Sequence, residues 1–362
     1  MIKLISPRNG AELSVMTAAQ KDFIRRFETG DLNGADYPPD GNGAYDYLPP
    51  KKKAGRNLSY PSFTVFRWEN DEPSAASFFE ISESPDFDAP APVSVDGIRE
   101  DSERCGTLCA NVVNLSTGKR YFWRAGDGKT WSEPFTFTTE EGGVRFIYVE
   151  GLANVRDLGG RVNGEGRRMK QGMIFRGPAI EAIIDPPYEI TEKGKKTMRE
   201  ELGIKTEIDL REEAREIIRH CPLGDSVSYN LIPFESYGRS LGESEDRSFR
   251  QIFSILSDRE SFPVYIHCQI GSDRTGTLAA YVLAALGFSE RDIDLDYSIN
   301  SLTITEKRSF TGSPEIGALL AGLRERFPAD TTPEMMRKRI LAAGVSEETI
   351  GRMREILTED QK

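Results

Sequence analysis

The N-terminal part of the chain consists of short stretches in which apolar and polar residues alternate. The clearest stretches are 62–68, 77–82, 119–125 and 131–139. A period of two is typical of a β-strand with one buried face, and several such strands divided by Gly, Pro, Asp and Asn predict an all-β sandwich. A short helical stretch and a Gly/Asp/Pro-rich tract interrupt this pattern, so residues from about 16 to 57 are predicted to be an insertion.

After Gly142 the pattern changes to apolar strands that alternate with helices. Strands are predicted at 144–149, 173–176, 206–210 and 227–233, and helices at 192–202, 212–220 and 248–256. This alternation predicts an α/β domain around a central, mostly parallel sheet. C-terminal helices are predicted at 289–300, 314–327, 333–343 and 346–358. The predicted domains are therefore a sandwich over 1–142 and an α/β domain over 143–362.

One stretch of the second domain carries residues suited to chemistry. The apolar run 262–266 predicts a buried strand, and the Ala/Leu-rich run 277–286 predicts a helix. Between them stand His267 and Cys268, then five residues, then Arg274. This arrangement predicts a phosphate-binding loop that contains a nucleophile, because backbone N–H groups and the positive helix end attract anions. The residues predicted to bind the phosphate are Gln269, Ile270, Gly271, Ser272, Asp273 and Arg274.

The side chains of this loop suit phosphoryl transfer. The positive end of the helix favours a thiolate at Cys268, and the thiolate is the nucleophile. The planar guanidinium of Arg274 can hold two phosphoryl oxygens. Thr275 can donate its hydroxyl to the sulfur, and His267 is predicted to organise the loop through hydrogen bonds. The alternative is that Cys268 is an ordinary buried cysteine at the end of a core strand.

Composition narrows the possible function classes. The chain has 362 residues, 38% of them hydrophobic and 29% charged, which is typical of a globular protein. Its net charge of −11 argues against nucleic acid as a partner. We see no apolar run of membrane-spanning length and no signal peptide, so a cytoplasmic location is expected. The four cysteines do not form a disulfide framework, and no metal or cofactor is expected.

Residues 150–362 resemble the bacterial tyrosine phosphatase family. The motifs that carry the resemblance are Asn-x-Arg-Asp-Leu-Gly-Gly at 154–160, Asp-Leu-Arg at 209–211, His-Cys-x-x-Gly-x-Asp-Arg-Thr-Gly at 267–276 and Asp-Tyr at 296–297. The resemblance implies a protein-tyrosine phosphatase that acts through a cysteinyl-phosphate intermediate on a phosphotyrosine protein or peptide, or on a small phosphomonoester. The N-terminal sandwich resembles a fibronectin type III or Ig-like domain, and its protein partner is not predicted.

The general acid of this reaction is predicted to be Asp273, inside the loop. The myotubularin lipid phosphatases, which this chain resembles at that position, carry an aspartate there. Glu235 and Asp246 are alternatives, because they follow the predicted strand that ends at residue 233. Asp273 could instead brace Arg274 through an ion pair.

Polar residues of the other motifs are expected to approach the loop or to support it. The predicted rim of the site consists of Asn154, Arg156, Asp157 and Glu235. As an alternative, Arg156 and Asp157 form a structural ion pair with each other. Asp209 and Arg211 are predicted to be structural, since charges at strand ends often pair.

Other activities stay open at this stage. Dual protein and lipid phosphatases of this family carry lysine where this chain has Ser272, so a phosphoinositide phosphatase is the less favoured alternative to a tyrosine phosphatase. Sulfur transfer also uses a cysteine loop, but the preceding histidine and the Arg-Thr pair favour phosphatases. A non-enzymatic alternative is a phosphotyrosine-binding pseudophosphatase or adaptor.

Overall fold

A computed structural model describes residues 2–30, 57–70, 77–181, 189–212, 221–303 and 313–360. The chain divides into two compact units, one formed by residues 1–17 and 61–147 and the other by residues 18–60 and 148–362. This boundary falls after residue 147 rather than after the predicted residue 142, and the described residues of the predicted insertion from Ala18 onward belong to the second unit. Residues 31–56 of the insertion, and all but the first residue of the predicted helix 212–220, lie outside the described residues.

Among the described residues, the first unit contains ten β-strands, and all of them except β10 form two sheets. The strands are β1 (Ile2–Ser6), β2 (Ala11–Leu13), β3 (Thr64–Asn70), β4 (Phe78–Ser82), β5 (Ser94–Val95), β6 (Arg99–Glu100), β7 (Thr107–Val113), β8 (Arg120–Gly126), β9 (Phe135–Thr139) and β10 (Arg145–Phe146). One sheet has the order β1-β3-β7-β5, with β6 also on β7, and the other has the order β2-β9-β8-β4. The four predicted alternating stretches coincide closely with β3, β4, β8 and β9.

Aromatic side chains fill the interior of the first unit. Phe66 and Trp68 of β3 are fully buried, as are Tyr121 and Trp123 of β8. Phe66 packs edge-to-face on Trp123, with ring centroids 5.1 Å apart. The Tyr121 hydroxyl accepts a hydrogen bond of 3.0 Å from the backbone N–H of Ser116. This bond satisfies a polar backbone group inside an otherwise apolar core.

The second unit mixes helices with strands. Its elements are α1 (Ala18–Thr29), β11 (Arg156–Asp157), β12 (Arg167–Met169), β13 (Ile174–Gly177), α2 (Glu192–Lys196), β14 (Thr206–Asp209), β15 (Ser228–Leu231), α3 (Asp246–Leu256), β16 (Val264–His267), α4 (Asp273–Ala285), α5 (Glu290–Ser298), α6 (Pro314–Arg326), α7 (Thr332–Ala342), α8 (Glu347–Leu357) and β17 (Thr358–Asp360). Helix α2 continues as a π-type turn over Thr197–Glu201. Within the described ranges, no helix is both long enough and apolar enough to cross a membrane.

The sheet of the second unit places β16 at its centre. Its strands follow the order β11-β13-β16-β14-β15. Strand β16 pairs in parallel with β13 and β14, and β14 pairs in parallel with β15. Helix α4 follows β16, and every residue from Thr275 to Ala285 is buried. These features confirm the prediction of an α/β domain around a mostly parallel sheet.

Residues at the two ends of the predicted insertion join the second unit through hydrogen bonds. Gln20 of α1 is fully buried. Its Nε2 donates hydrogen bonds to the carbonyl oxygens of Leu58 (2.7 Å) and Tyr60 (2.8 Å). The N–H of Leu58 in turn donates to the carbonyl oxygen of Leu302 (2.6 Å). The sequence pattern could not predict these contacts, because the sequence alone does not distinguish a buried glutamine in a helix from a solvated one.

We expect Tyr121→Phe to destabilise the first unit, because the buried N–H of Ser116 loses its acceptor. An unsatisfied buried donor costs about 1–3 kcal/mol of unfolding free energy. The three tryptophans of the chain, Trp68, Trp123 and Trp131, all lie in the first unit. Urea unfolding followed by tryptophan fluorescence therefore reports this unit, and an unchanged midpoint would contradict the role of the hydroxyl.

We expect Gln20→Ala to destabilise the second unit, because the buried carbonyl group of Leu58 and the partly buried one of Tyr60 lose their donor. Far-ultraviolet circular dichroism reports this unit, since the helices α1 to α8 belong to it. The dichroism midpoint should fall while the fluorescence midpoint stays at the wild-type value. Tyr121→Phe serves as the reciprocal control. A shift of the fluorescence midpoint alone would show that residues 18–60 stabilise the first unit instead.

Candidate active site

Cys268 follows β16 directly and begins a loop of residues 268–272. Because β13, β16 and β14 are parallel, the loop lies where their carboxyl ends meet, which is the usual ligand site of such sheets. The Cys268 side chain is only 2% exposed. The predicted nucleophile is thus held in the interior at the edge of the sheet.

Helix α4 begins earlier than the sequence predicted, at Asp273 rather than at residue 277. The N–H of Gly276 already bonds to the carbonyl oxygen of Ser272, at 2.9 Å. Asp273, Arg274 and Thr275 therefore lie in the first helical turn, where Asp273 also interacts favourably with the helix dipole. Asp273 and Arg274 are half-buried, whereas Thr275 is fully buried.

The carbonyl groups of the loop are held from outside. Three consecutive carbonyl oxygens accept hydrogen bonds: that of Gln269 from the Ala179 N–H (3.0 Å), that of Ile270 from Asn154 Nδ2 (3.4 Å) and that of Gly271 from Arg176 Nη2 (2.7 Å). In a trans peptide the C=O group and the following N–H point in opposite directions. The N–H groups of Ile270, Gly271 and Ser272 consequently point into the loop, where together they can bind an anion.

Gly271 is required by close packing. Its φ is +74°, in the left-handed region, and a Cβ atom there would lie 2.3 Å from the carbonyl oxygen of Gly177. No larger residue fits this position without moving the end of β13. The glycine thus allows the loop to pass close to the neighbouring strand.

A buried carboxylate, Asp296 of α5, joins the loop to two arginines. Its Oδ1 accepts a hydrogen bond from Arg156 Nε at 3.0 Å, and its Oδ2 accepts one from Arg176 Nη1. Burial alone would raise the pKa of Asp296, but the two arginines lower it well below its usual range. Burial and the charge of Arg176 lower the pKa of Arg156 to about 10. Arg156 is therefore still charged at neutral pH. The bond between Asp296 and Arg176 places Arg176 Nη2 to hold the loop carbonyl of Gly271.

The first motif divides its polar residues between two sides of β11. Asn154 Nδ2 contacts the loop at Ile270, and Asn154 Oδ1 accepts from Arg156 Nη1 at 2.6 Å. Asp157 instead accepts from the backbone N–H groups of Gly159 (2.8 Å) and Gly172 (2.6 Å). The predicted alternative of an Arg156–Asp157 ion pair is wrong, because successive residues of a strand face opposite sides and Arg156 pairs with Asp296.

His267 lies behind the nucleophile and is fully buried. Its Nε2 lies 2.8 Å from Glu207 Oε1, and its Nδ1 lies 3.1 Å from the carbonyl oxygen of Cys268. Both partners are acceptors, so both ring nitrogens carry protons. Burial lowers the pKa of His267, but Asp209 and Glu207 outweigh it and raise the pKa to about 9. Glu207 was not predicted from the sequence to belong to the site.

Asp209 and Arg211 form the predicted structural pair. Arg211 Nη2 lies 2.6 Å from Asp209 Oδ2, and both side chains are fully buried. Arg211 Nη2 also contacts Glu181 Oε1 at 2.8 Å, and the Tyr229 hydroxyl donates to Asp209 Oδ2 at 2.8 Å. Tyr229 belongs to β15, so this cluster ties the strand ends beside the loop together.

Two tyrosines that were not predicted to belong to the site lie next to Asp273. One binds its carboxylate, and the other binds the first tyrosine. The Tyr237 hydroxyl donates a hydrogen bond to Asp273 Oδ1. The Tyr297 hydroxyl lies 2.7 Å from the Tyr237 hydroxyl. Tyr297 was part of the recognised Asp-Tyr pair, but no motif pointed to Tyr237, which begins a 3-10 turn over residues 237–241.

The alternative acids have basic partners. The carboxylate of Glu235 lies 3.0 Å from Arg239 Nε. Asp246, in the first turn of α3, lies 2.7 Å from the nearly fully buried Arg339. Both carboxylates are thus engaged in ion pairs with arginine side chains.

Buried polar atoms near Cys268 have no protein partner. Within the described part of the chain, the hydroxyls of Ser272 and Thr275 and Oε1 of Gln269 are buried without a hydrogen bond. Such atoms cost free energy unless a ligand or water satisfies them. The donation from Thr275 to the sulfur stays a prediction. Across the described ranges, no group of three or more His, Cys, Asp or Glu side chains could hold a metal ion.

Comparison with known proteins agrees with this geometry. The tyrosine phosphatase family matches residues 147–359. A tyrosine-protein phosphatase of Nostoc commune is 27% identical over 177 residues, 41% of this chain and 60% of the relative. A putative tyrosine-protein phosphatase of Cupriavidus necator is 25% identical over 172 residues, 40% of this chain and 59% of the relative. The chain thus spans about three-fifths of the length of these relatives.

A solved structure is also similar in part. It is the core catalytic domain of the PP-IP phosphatase SIW14 from S. cerevisiae in complex with citrate, with 16% identity and a TM-score of 0.28. The similarity covers 43% of this chain and 78% of that domain. The family match carries the assignment instead, since it extends over more than half of the chain and includes the loop of Cys268. The chain belongs to the tyrosine phosphatase family.

Proposed function

We propose that this chain is a protein-tyrosine phosphatase that hydrolyses phosphate monoesters through a cysteinyl-phosphate intermediate. One observation carries the proposal. The loop that starts at Cys268 has three consecutive carbonyl groups held outward, so its N–H groups converge on the space beside the thiol. A dianionic phosphoryl group matches such a set of donors. Arg274, in the following helical turn, adds a bidentate donor of fixed charge.

In the first step, the Cys268 thiolate attacks phosphorus and an S–P bond forms. The P–O bond to the tyrosine oxygen breaks at the same time, and Asp273 gives its proton to the departing phenolate. Arg274 and the loop N–H groups stabilise the charge on the three phosphoryl oxygens. The products are a dephosphorylated tyrosine, cysteinyl phosphate and the Asp273 carboxylate.

In the second step, water attacks the cysteinyl phosphate and the S–P bond breaks. Asp273 takes the proton of the water, inorganic phosphate leaves and the thiolate returns. Thr275 is well placed in sequence to donate its hydroxyl to the departing sulfur, and its buried hydroxyl without a protein partner supports this role. A catalytic thiolate needs a reducing environment, which supports the predicted cytoplasmic location.

His267 supports the nucleophile through the loop. As an imidazolium it donates to the carbonyl oxygen of Cys268 and to Glu207. The bond to the carbonyl oxygen of Cys268 fixes the backbone from which the sulfur projects. We therefore propose His267 as a positioning residue rather than as a base.

Phosphotyrosine is the proposed substrate class. Ser272, at the position that is lysine in the dual protein and lipid phosphatases, is fully buried and uncharged. It adds no positive charge for the further phosphate groups of a phosphoinositide, whereas one phosphoryl group is matched by the loop itself. Phosphoinositides are thus the alternative substrate class, and comparing their hydrolysis with that of a phosphotyrosine peptide distinguishes the two.

We also propose a fibronectin type III-like identity for the first unit. Two facing sheets, and the bond from the Ser116 N–H to the Tyr121 hydroxyl near the start of β8, support it, because a tyrosine corner of this kind is typical of such sandwiches. The proposed catalytic unit is residues 18–60 with 148–362. Its support is the hydrogen bond from the Asn154 N–H to Ser59 Oγ (2.8 Å), which joins the insertion to a residue that contacts the loop.

We expect the purified protein to release phosphate from a phosphotyrosine peptide and from p-nitrophenyl phosphate without added metal. Phosphoserine and phosphothreonine peptides and phosphoinositides complete the panel. Cys268→Ser should abolish release, because the alcohol is a far weaker nucleophile than the thiolate. Asp273→Asn should lower kcat about 10²- to 10⁴-fold on the peptide, and less on p-nitrophenyl phosphate, whose leaving group needs little protonation.

Activity retained by Cys268→Ser would contradict the covalent mechanism. Equal losses on both substrates in Asp273→Asn would contradict its role as the acid. Faster hydrolysis of phosphoinositides than of the peptide would establish the alternative substrate class. No release by the wild-type protein from any substrate would overturn the enzymatic function, and phosphopeptide binding would then test the adaptor alternative.

We expect the His267 imidazole to titrate near pH 9, and Glu207→Gln to lower that midpoint. Since folding raises this pKa, the stabilisation by the imidazolium is complete below about pH 6.5 and is lost as the pH rises through about 9. The chain has two histidines, so nuclear magnetic resonance of the imidazole protons, assigned with His220→Gln, measures the midpoint directly. A midpoint at or below 6.5 would show that burial outweighs the two carboxylates.

A further inference from the structure

Tyr237 is held firmly against the first turns of α4. Its backbone N–H donates to Thr277 Oγ1 at 3.1 Å, and Thr277 Oγ1 donates to the carbonyl oxygen of Asp273 at 2.9 Å. Its carbonyl oxygen accepts from Ser240 Oγ at 2.6 Å. Its φ is +55°, in a region that bulky residues rarely adopt. Such a conformation persists only where the surroundings impose it, and it is enriched at functional sites.

The hydrogen-bonding chemistry fixes the direction of the chain Tyr297–Tyr237–Asp273. A carboxylate only accepts, so the Tyr237 hydroxyl donates its single proton to Asp273 Oδ1. With that proton engaged, Tyr237 can only accept from Tyr297, whose hydroxyl lies 2.7 Å away. Burial and the neighbouring Tyr297 raise the pKa of Tyr237 far above its usual range. The Tyr237 hydroxyl therefore keeps its proton throughout the reaction.

Tyr297 reaches this position because the helix facing it carries a glycine. A Cβ atom at Gly276 would lie 3.0 Å from the Tyr297 ring and 3.4 Å from Arg176 Nη2. Tyr297 is 1% exposed, and its neighbour Asp296 is bound to Arg156 and Arg176. The tyrosine thus stands on a part of α5 that buried ion pairs hold in place.

We infer that Tyr237 and Tyr297 are positioning residues that orient the carboxyl group of Asp273 for proton donation to the leaving group. The inference rests on the proposed function and deepens it. When Asp273 is protonated, Oδ1 can still accept from Tyr237 only if the acidic proton is carried by Oδ2. Tyr237 therefore selects the oxygen that delivers the proton. In the transfer, the Oδ2–H bond breaks, an O–H bond forms on the departing phenolate, and neither tyrosine changes its protonation.

The test measures kcat/KM of wild-type protein for a series of aryl phosphates with leaving groups of increasing basicity, and for a phosphotyrosine peptide. Tyr237→Phe should lose roughly tenfold to a hundredfold on the peptide and little on p-nitrophenyl phosphate, because only poor leaving groups depend on an oriented acid. The leaving-group dependence should steepen in the same direction as in Asp273→Asn. Tyr297→Phe, which removes the second donor without touching Tyr237, should show a smaller change of the same kind.

Tyr281→Phe is the matched control. The Tyr281 hydroxyl contacts Ser240 Oγ at 3.1 Å, and Ser240 belongs to the same turn as Tyr237. The substitution removes one tyrosine hydroxyl, as Tyr237→Phe does. Its leaving-group dependence should equal that of the wild type. A general loosening of the turn would instead steepen the dependence in Tyr281→Phe as well, which would overturn the specific role of Tyr237. Circular dichroism melting of each variant confirms that the fold is retained.

The double variant Tyr237→Phe/Asp273→Asn tests whether Tyr237 acts through Asp273. If Tyr237 acts through Asp273, the double variant should be no slower than Asp273→Asn alone. Independent, multiplying losses would overturn the inference, as would an unchanged leaving-group dependence in Tyr237→Phe. In both of those outcomes the wild type still releases phosphate, so the proposed function stands. Absence of release by the wild type from every substrate would overturn the function and this inference together.

Discussion

The buried carboxylate of Asp296 holds the loop of Cys268 in its conformation through two arginines. It lies in the interior between Arg156 and Arg176, and Arg176 in turn holds the carbonyl group of Gly271 away from the space beside Cys268. A buried ion pair is weak evidence for stability, since desolvation offsets much of the attraction, but removing one partner strands the other and costs about 3–5 kcal/mol. The role of this cluster therefore lies in orientation, because holding the carbonyl of Gly271 turns the following peptide N–H toward the space beside Cys268.

The same segment of α5 serves both chemical ends of the site. Asp296 holds the loop carbonyl of Gly271 through Arg176, and the next residue, Tyr297, contacts Tyr237, which donates to Asp273. Consecutive residues of a helix point about 100° apart, which lets one short segment contact two neighbours. Gly271 and Gly276 make both contacts possible, because a side chain at either position would collide with Gly177 or with Tyr297.

A second buried cluster supports the loop from behind. Glu207 and Asp209 of β14 provide the negative charge that keeps His267 protonated, and Arg211 balances Asp209. These groups belong to strands and strand ends, which are more rigid than loops, so the backbone of Cys268 is held by elements of the core. The described part of the predicted insertion contributes in a similar way, since Ser59 binds the backbone of Asn154 beside the loop.

The sequence by itself located most of the elements and the candidate nucleophile. Hydrophobic periodicity located the strands and helices. The spacing of Cys268, Arg274 and the following helix located the loop. Both signals are local along the chain, so the sequence alone carries them. The tertiary structure decided the pairings. Arg156 binds Asp296 across 140 residues rather than its neighbour Asp157, residues 18–60 join the second unit, and Tyr237 reaches Asp273 from a separate turn. Such contacts depend on which surfaces the packed core brings together, and no periodicity in one chain encodes them.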